Sequence, residues 1–106
     1  MIAPVERAAR TQVMFREVNE RIAELTRHSA LGVTLFVCEC SRQDCIEALE
    51  LTADQYEQVR CRDDRFLVAD GHELEEIERV VDREDGFLVV EKYGRAAAVA
   101  AGLSTR

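Results

Sequence analysis

Val33-Thr-Leu-Phe-Val-Cys38-Glu-Cys40-Ser-Arg-Gln-Asp-Cys45-Ile-Glu-Ala-Leu-Glu-Leu51 is the stretch whose reading decides the fold. Val33–Cys38 is rich in β-branched and aromatic residues and reads as a strand; Cys45–Leu51 reads as its returning partner. Between them stands C-x-C-x4-C, three soft ligands around one turn. Residues two apart on a strand share a face, so Cys38 and Cys40 point the same way, and a tight turn brings Cys45 back toward them. Thiolates at about 2.3 Å from a zinc ion need that convergence. The stretch predicts a hairpin with a metal site at its tip.

A tetrahedral site needs a fourth ligand, and the candidates are His72, Cys61, His28 and Asp44. His72 is the preferred one. It follows Gly71 at the end of a short predicted strand, Arg65–Ala69, where a tight turn lets an imidazole reach a neighbouring hairpin. Cys61 falls about 140° from Tyr56 on the helix predicted after Thr52, away from the stripe of Ala53, Tyr56 and Val59. A helix that stops before Cys61 would reverse this preference. His28 closes a long helix, where a cation is favoured by the helix dipole. Asp44 serves the turn itself. The plainer readings are a redox thiol pair or reduced cysteines with no joint role, with His72 an ordinary surface residue. A Cys38–Cys40 disulfide is disfavoured because same-face strand neighbours lie at the long edge of the allowed Cα separation.

Downstream, Thr52-Ala-Asp-Gln55 fits a capping box and predicts a helix to about Arg60. Ile77–Glu84 and Phe87–Tyr93 flank Asp85-Gly86, a two-residue hairpin signal of the I′ type. On the second of these strands Phe87, Val89, Glu91 and Tyr93 would share one face and Leu88, Val90 and Lys92 the other. Arg95–Leu103 is alanine-rich and reads as a short helix or a frayed tail.

Upstream, Val5–His28 reads as one amphipathic helix about 35 Å long. At about 100° per residue, Ala8, Met14, Phe15, Val18, Ile22 and Leu25 fall in one stripe, and Phe15, Val18, Ile22 and Leu25 have the 3-4-3 spacing of a helix seam. The simplest expectation is that this stripe packs on the chain's own sheet. A stripe so long offers more apolar surface than so small a body uses, so a homodimer seam or a partner helix competes with that expectation.

Composition narrows the class. The 106 residues carry 33% charged and 47% hydrophobic side chains, the balance of a folded globular chain, and the length fits one domain over 1–106. Within it, 5–28 is the long helix, 33–94 the metal-stapled α+β body and 95–106 the tail. The formal net charge of −7 disfavours phosphate backbones and anionic membranes. Arginines on the first helix (Arg7, Arg10, Arg16, Arg21, Arg27) leave DNA contact open, but interleaved glutamates read as a solvated face. Of the 14 basic residues only Lys92 is a lysine, a bias that suggests a GC-rich bacterial genome. The start lacks the pattern of a signal peptide and no stretch approaches a membrane span, so a cytoplasmic location with reduced thiols is expected.

Two resemblances accompany these readings. C-x-C-x4-C is similar to the zinc-binding tail that follows SET methyltransferase domains, and implies site geometry only. Phe36-Val-Cys38-Glu-Cys40, Cys45, Leu49–Thr52, Tyr56–Arg60, Arg65-Phe66, Gly71-His72-Glu73, Glu78–Val81 and Val89–Lys92 resemble a group of small uncharacterised Cys/His-containing proteins of high-GC Gram-positive bacteria. That likeness spans roughly Phe15 to Lys92. It implies that the Cys/His set belongs to one module with Cys61 outside it, and brings no activity.

Catalysis is not expected. Glu73, Glu75, Glu76 and Glu78 beside His72 could supply a base, but such a run is more often a solvated loop. The zinc-deaminase spacing, H-E-x-x-H and a glycine-rich phosphate loop are all absent from the sequence. The expectation is an α+β protein: a long N-terminal helix plus a short antiparallel sheet of four to five strands, stapled by zinc on Cys38, Cys40, Cys45 and His72. It would act as a protein-interaction or regulatory module, with itself or another protein as partner. The competing functions are a thiol/zinc redox sensor and, behind it, a metal-dependent enzyme or DNA-binding regulator.

Overall fold

A computed structural model describes residues 4–27 and 32–103. The elements run α1 (Pro4–Thr26), β1 (Val33–Val37), β2 (Ala48–Thr52), α2 (Ala53–Arg60), β3 (Arg65–Val68), β4 (Glu78–Glu84), β5 (Phe87–Lys92) and α3 (Gly94–Leu103). The α+β class and the long first helix are as expected. His28, one of the candidate ligands, lies outside the described residues.

The five strands form two antiparallel sheets, β1-β2 and β3-β5-β4, where one short sheet was expected. Phe36 pairs with Leu49 and Thr34 with Leu51, which puts Phe36, Leu49 and Leu51 in the core. Tyr56 of α2 stacks on Phe36 with ring centroids 4.8 Å apart. The capping box that starts α2 is present in full: Gln55 N–H donates to Thr52 Oγ1 and Thr52 N–H donates to Gln55 Oε1. Cys38 N–H donates to Glu47 C=O, carrying the β1-β2 ladder up to the first cysteine.

β5 is the central strand of the second sheet, and all six of its residues are buried. Neither of its faces meets solvent, because a centre strand covered by neighbouring elements has no wet side. Its charged residues are paired instead. Glu91 accepts from Arg65 at 3.1 Å and from Arg79 at 2.9 Å, its register partners on β3 and β4. Lys92 Nζ meets Glu78 Oε2 at 2.9 Å with both side chains fully buried. Asp85-Gly86 closes the β4-β5 hairpin between Glu84 and Phe87. Among the described residues only glycines have positive φ, Gly86 at +95°, so Asp85 is not left-handed and the turn is not the expected I′ type. A bulge between Val80 and Asp82 adds the twist such a turn does not provide.

The main departure is the rotation of α1. The expected buried stripe faces outward: Met14, Val18 and Leu25 are 48%, 44% and 71% exposed, and Phe15, Ile22 and Ala8 are only half-buried. The buried face is Ala9, Gln12, Val13, Arg16, Asn19 and Ala23, centred roughly 100° round the helix from Phe15. This face is polar, and its partners explain why it wins. Arg16 Nη1 donates to Asp63 C=O at 2.7 Å, with its guanidinium 4.5 Å from the Phe66 ring centre. Asn19 satisfies both backbone groups of Val37, donating to its C=O at 2.7 Å and accepting from its N–H at 2.8 Å. It thereby does for the outer edge of β1 what another strand would do. Arg60 of α2 reaches Glu20 at 3.2 Å. The alanine-rich tail is a helix, α3, whose Ala96 and Ala100 are buried and whose Arg95 pairs with Glu6 at 2.8 Å. Small residues here and at Ala9 let α1 and α3 approach closely.

Candidate metal centre

Cys38 follows the last residue of β1, Cys40 lies two residues on, and Cys45 returns just ahead of β2. Cys45 N–H donates to Arg42 C=O, so residues 42–45 make the tight turn that the spacing required. The fourth member comes from the connection between β3 and β4. His72 N–H donates to Ala69 C=O, and Gly71 between them has φ +90°, a conformation that strains any side-chain-bearing residue. This turn aims the imidazole at the knuckle. His72 Nδ1 stands 3.5 Å from Cys38 Sγ and 3.6 Å from Cys45 Sγ. The three sulfurs and one ring nitrogen all lie within 4.8 Å of one another, close enough to hold one metal ion between them.

Cys38 and Cys40 are buried, whereas Cys45 and His72 are half-buried and form the rim. The sulfurs also receive backbone donors. Ala69 N–H donates to Cys38 Sγ at 3.2 Å. The Cys40 thiol is pulled down to about 5, first by its hydrogen bond from Cys38 and then, against the desolvation that opposes ionisation, by Arg42 N–H and His72. Cys38 is pushed up, by donating that hydrogen bond and by burial. Burial also raises Cys45.

The other candidates are elsewhere. Cys61 is exposed at the C-terminal cap of α2 and donates its thiol hydrogen to Gln58 C=O. Asp44 is an exposed turn residue. The acid run after His72 is spent on structure: Glu73 accepts Gly71 N–H at 2.8 Å, and Glu78 accepts Leu74 N–H at 2.7 Å besides binding Lys92. Glu75 and Glu76 are exposed.

Sequence reasoning missed Glu39, the residue inside C-x-C. Its side chain is fully buried and holds the centre together. Oε1 accepts Leu67 N–H at 2.8 Å, while Oε2 accepts Asn19 Nδ2 at 2.9 Å and the Tyr56 hydroxyl at 2.5 Å. Its backbone joins the two sheets, with N–H donating to Leu67 C=O and C=O accepting Gln12 Nε2. Burial pushes this carboxyl up, opposed by Tyr56, Asn19, Leu67 and the Arg16 charge. The available signal was on α1, where Gln12, Arg16, Asn19 and Ala23 repeat at helical spacing beside the apolar stripe. A groove of about 390 Å³ is lined by Asp54, Gln58, Arg65, Asp82 and Phe87 among others and by none of the Cys/His cluster. No helix among the described residues is long and apolar enough to cross a membrane. No family model, curated protein or solved structure matches this chain.

Proposed function

We propose that this chain is a small interaction module whose body is stapled by a structural zinc ion on Cys38, Cys40, Cys45 and His72, and that it performs no catalysis of its own. The observation that carries the reading is the separation of ligand atoms. Zinc bonds of about 2.3 Å to sulfur and about 2.05 Å to nitrogen, at tetrahedral angles, give a sulfur–nitrogen edge of about 3.6 Å. His72 Nδ1 stands 3.5 and 3.6 Å from two of the sulfurs. Soft thiolates with one imidazole select zinc over magnesium or calcium. Four protein ligands close the coordination sphere, which is the mark of a structural site; a catalytic one keeps a position for water or substrate.

The staple acts where the fold most needs it. It ties the tip of the β1-β2 hairpin to the turn after β3, joining Cys45 and His72 at a sequence separation of 27. Binding energy of roughly 10 kcal/mol, typical of structural zinc, is comparable to the whole stability of a domain of this size. The carboxylates nearest the ligands in sequence support the non-catalytic reading, since Glu73 and Glu78 are already engaged.

Metal content by mass spectrometry, on protein purified without added zinc, tests the proposal. One zinc per chain is expected, lost in His72→Ala and Cys45→Ser and kept in Cys61→Ala. A metal-free wild type with a native melting transition would sink it.

A further inference from the structure

Met14, Val18 and Leu25 run as one exposed line along α1, on a helix whose opposite face is already docked. Exposed apolar residues scattered singly need no explanation, but a line at helical spacing on one element marks an interaction surface. We propose that a second copy of this chain covers it, the two α1 helices packing antiparallel across a two-fold axis near Val18. This second copy is the partner of the interaction module put forward above; the inference rests on that reading, not on the identity of the metal.

Charge argues for self-association at this element. α1 carries four arginines and four glutamates and is neutral, although the chain as a whole has a net charge of −7. Two copies can meet here without the repulsion that most of their surface would impose.

The pattern of those charges argues for the antiparallel arrangement. Arg10, Glu17, Arg21 and Glu24 are exposed and lie on one flank of the apolar line, so that flank alternates in sign. The other flank is apolar and half-buried, with Phe15 and Ile22. A two-fold interface sets the same patch of both copies against itself. In an antiparallel pair the charged flank faces the charged flank in reverse order. Glu17 then meets Arg21 of the second copy, Arg10 approaches its Glu24, and Phe15 approaches its Ile22. A parallel pair would set the charged flank against the apolar one. The existing Arg21–Glu24 contact, 3.5 Å within one helix, leaves both side chains well exposed and available.

Size sets the strength. With the two-fold near Val18, about 25 Å of each helix overlaps, and at 10 Å across it offers on the order of 250 Å² per copy. This is well below the roughly 800 Å² per partner of a standard interface, so a weak dimer with a Kd of about 100 µM is expected.

Sedimentation velocity of the full, metal-loaded chain from about 1 to about 200 µM reads the association. The mass should rise from 12.0 kDa toward twice that value. Val18→Glu should weaken the dimer by about 100-fold or more, with circular dichroism and metal content unchanged. Glu17→Arg or Arg21→Glu alone should weaken it several-fold, and the double exchange should restore it. A zinc-loaded chain that stays monomeric throughout overturns the dimer and leaves the metal site intact. A dimer indifferent to Val18→Glu, or a double exchange weaker than either single one, overturns the interface. A metal-free chain with a Val18-sensitive dimer supports the interface while sinking the zinc reading.

Discussion

Replacing Asn19 by leucine asks which face of α1 holds it to the body. If apolar burial docked the helix, the substitution would widen the apolar stripe and stabilise the protein. The structure gives the opposite expectation. Asn19 makes three short hydrogen bonds, to Val37 C=O, Val37 N–H and Glu39 Oε2, at 2.7, 2.8 and 2.9 Å. Leucine leaves the edge of β1 with an unpaired donor and acceptor and takes one donor from a buried carboxylate. Three such losses at about 1–3 kcal/mol each, less about 2 kcal/mol for the extra apolar burial, give an expected net loss of about 1–7 kcal/mol. Val18→Ala is the matched control. Its side chain is 44% exposed, so the cost should stay within about 0.5 kcal/mol, where a core valine would lose several times that. Urea melts followed by far-UV circular dichroism, on metal-loaded protein at about 2 µM to hold it monomeric, resolve this difference. Asn19→Leu at or above wild-type stability, or Val18→Ala at a cost of about 2 kcal/mol or more, would refute the rotation of α1 described above.

The Lys92–Glu78 pair predicts a strong asymmetry: Lys92→Met leaves a buried carboxylate with only Leu74 N–H and Gln12 as donors and should cost about 3–5 kcal/mol, whereas Glu78→Gln/Lys92→Met together should cost clearly less. Equal melts for the single and double variants would show that the pair is not coupled in the way its geometry implies. Glu91 gives a pH signature. Arg79, and then Arg65, hold its carboxyl below the usual value of 4.5, so its contribution is present above that pH and is lost as pH falls through the depressed folded value. Chemical melts of wild type and Glu91→Gln should therefore differ near neutrality and converge in acid; a difference that persists unchanged at low pH would assign the effect to packing.

What the sequence made legible was local. The knuckle could be read because C-x-C-x4-C constrains three side chains within eight residues, and the α2 start because Thr52 and Gln55 satisfy each other without help from elsewhere. His72 was legible at one remove, through the freedom of Gly71 to turn. The rotation of α1 was not, because periodicity identifies an apolar face without saying whether this chain or another covers it. Glu39 was missed for a related reason. A glutamate between two cysteines looks like a solvent-facing spacer until Asn19, Tyr56 and Leu67 arrive from three distant segments. The split into two sheets was equally hidden, since only Glu39 backbone pairing with Leu67 shows where one sheet hands over to the other.

The position of Glu39 ties the two halves of this molecule together. Alternation along an extended chain turns Cys38 and Cys40 one way and the residue between them the other. A metal that fixes both sulfurs therefore also fixes the direction of Glu39, and with it the donors that hold α1. Burying a carboxylate costs several kcal/mol even when it is well hydrogen-bonded, so this network is a poor source of net stability. Its effect is on uniqueness. An apolar face slides or rotates against a core with small penalties, whereas Asn19 on Val37, Arg16 on Asp63 and Gln12 between Glu39 and Glu78 fit at one rotation only. The Cys/His cluster and the polar network thus meet at one residue, and the polar face sets the helix angle that turns Met14, Val18 and Leu25 outward, away from the core.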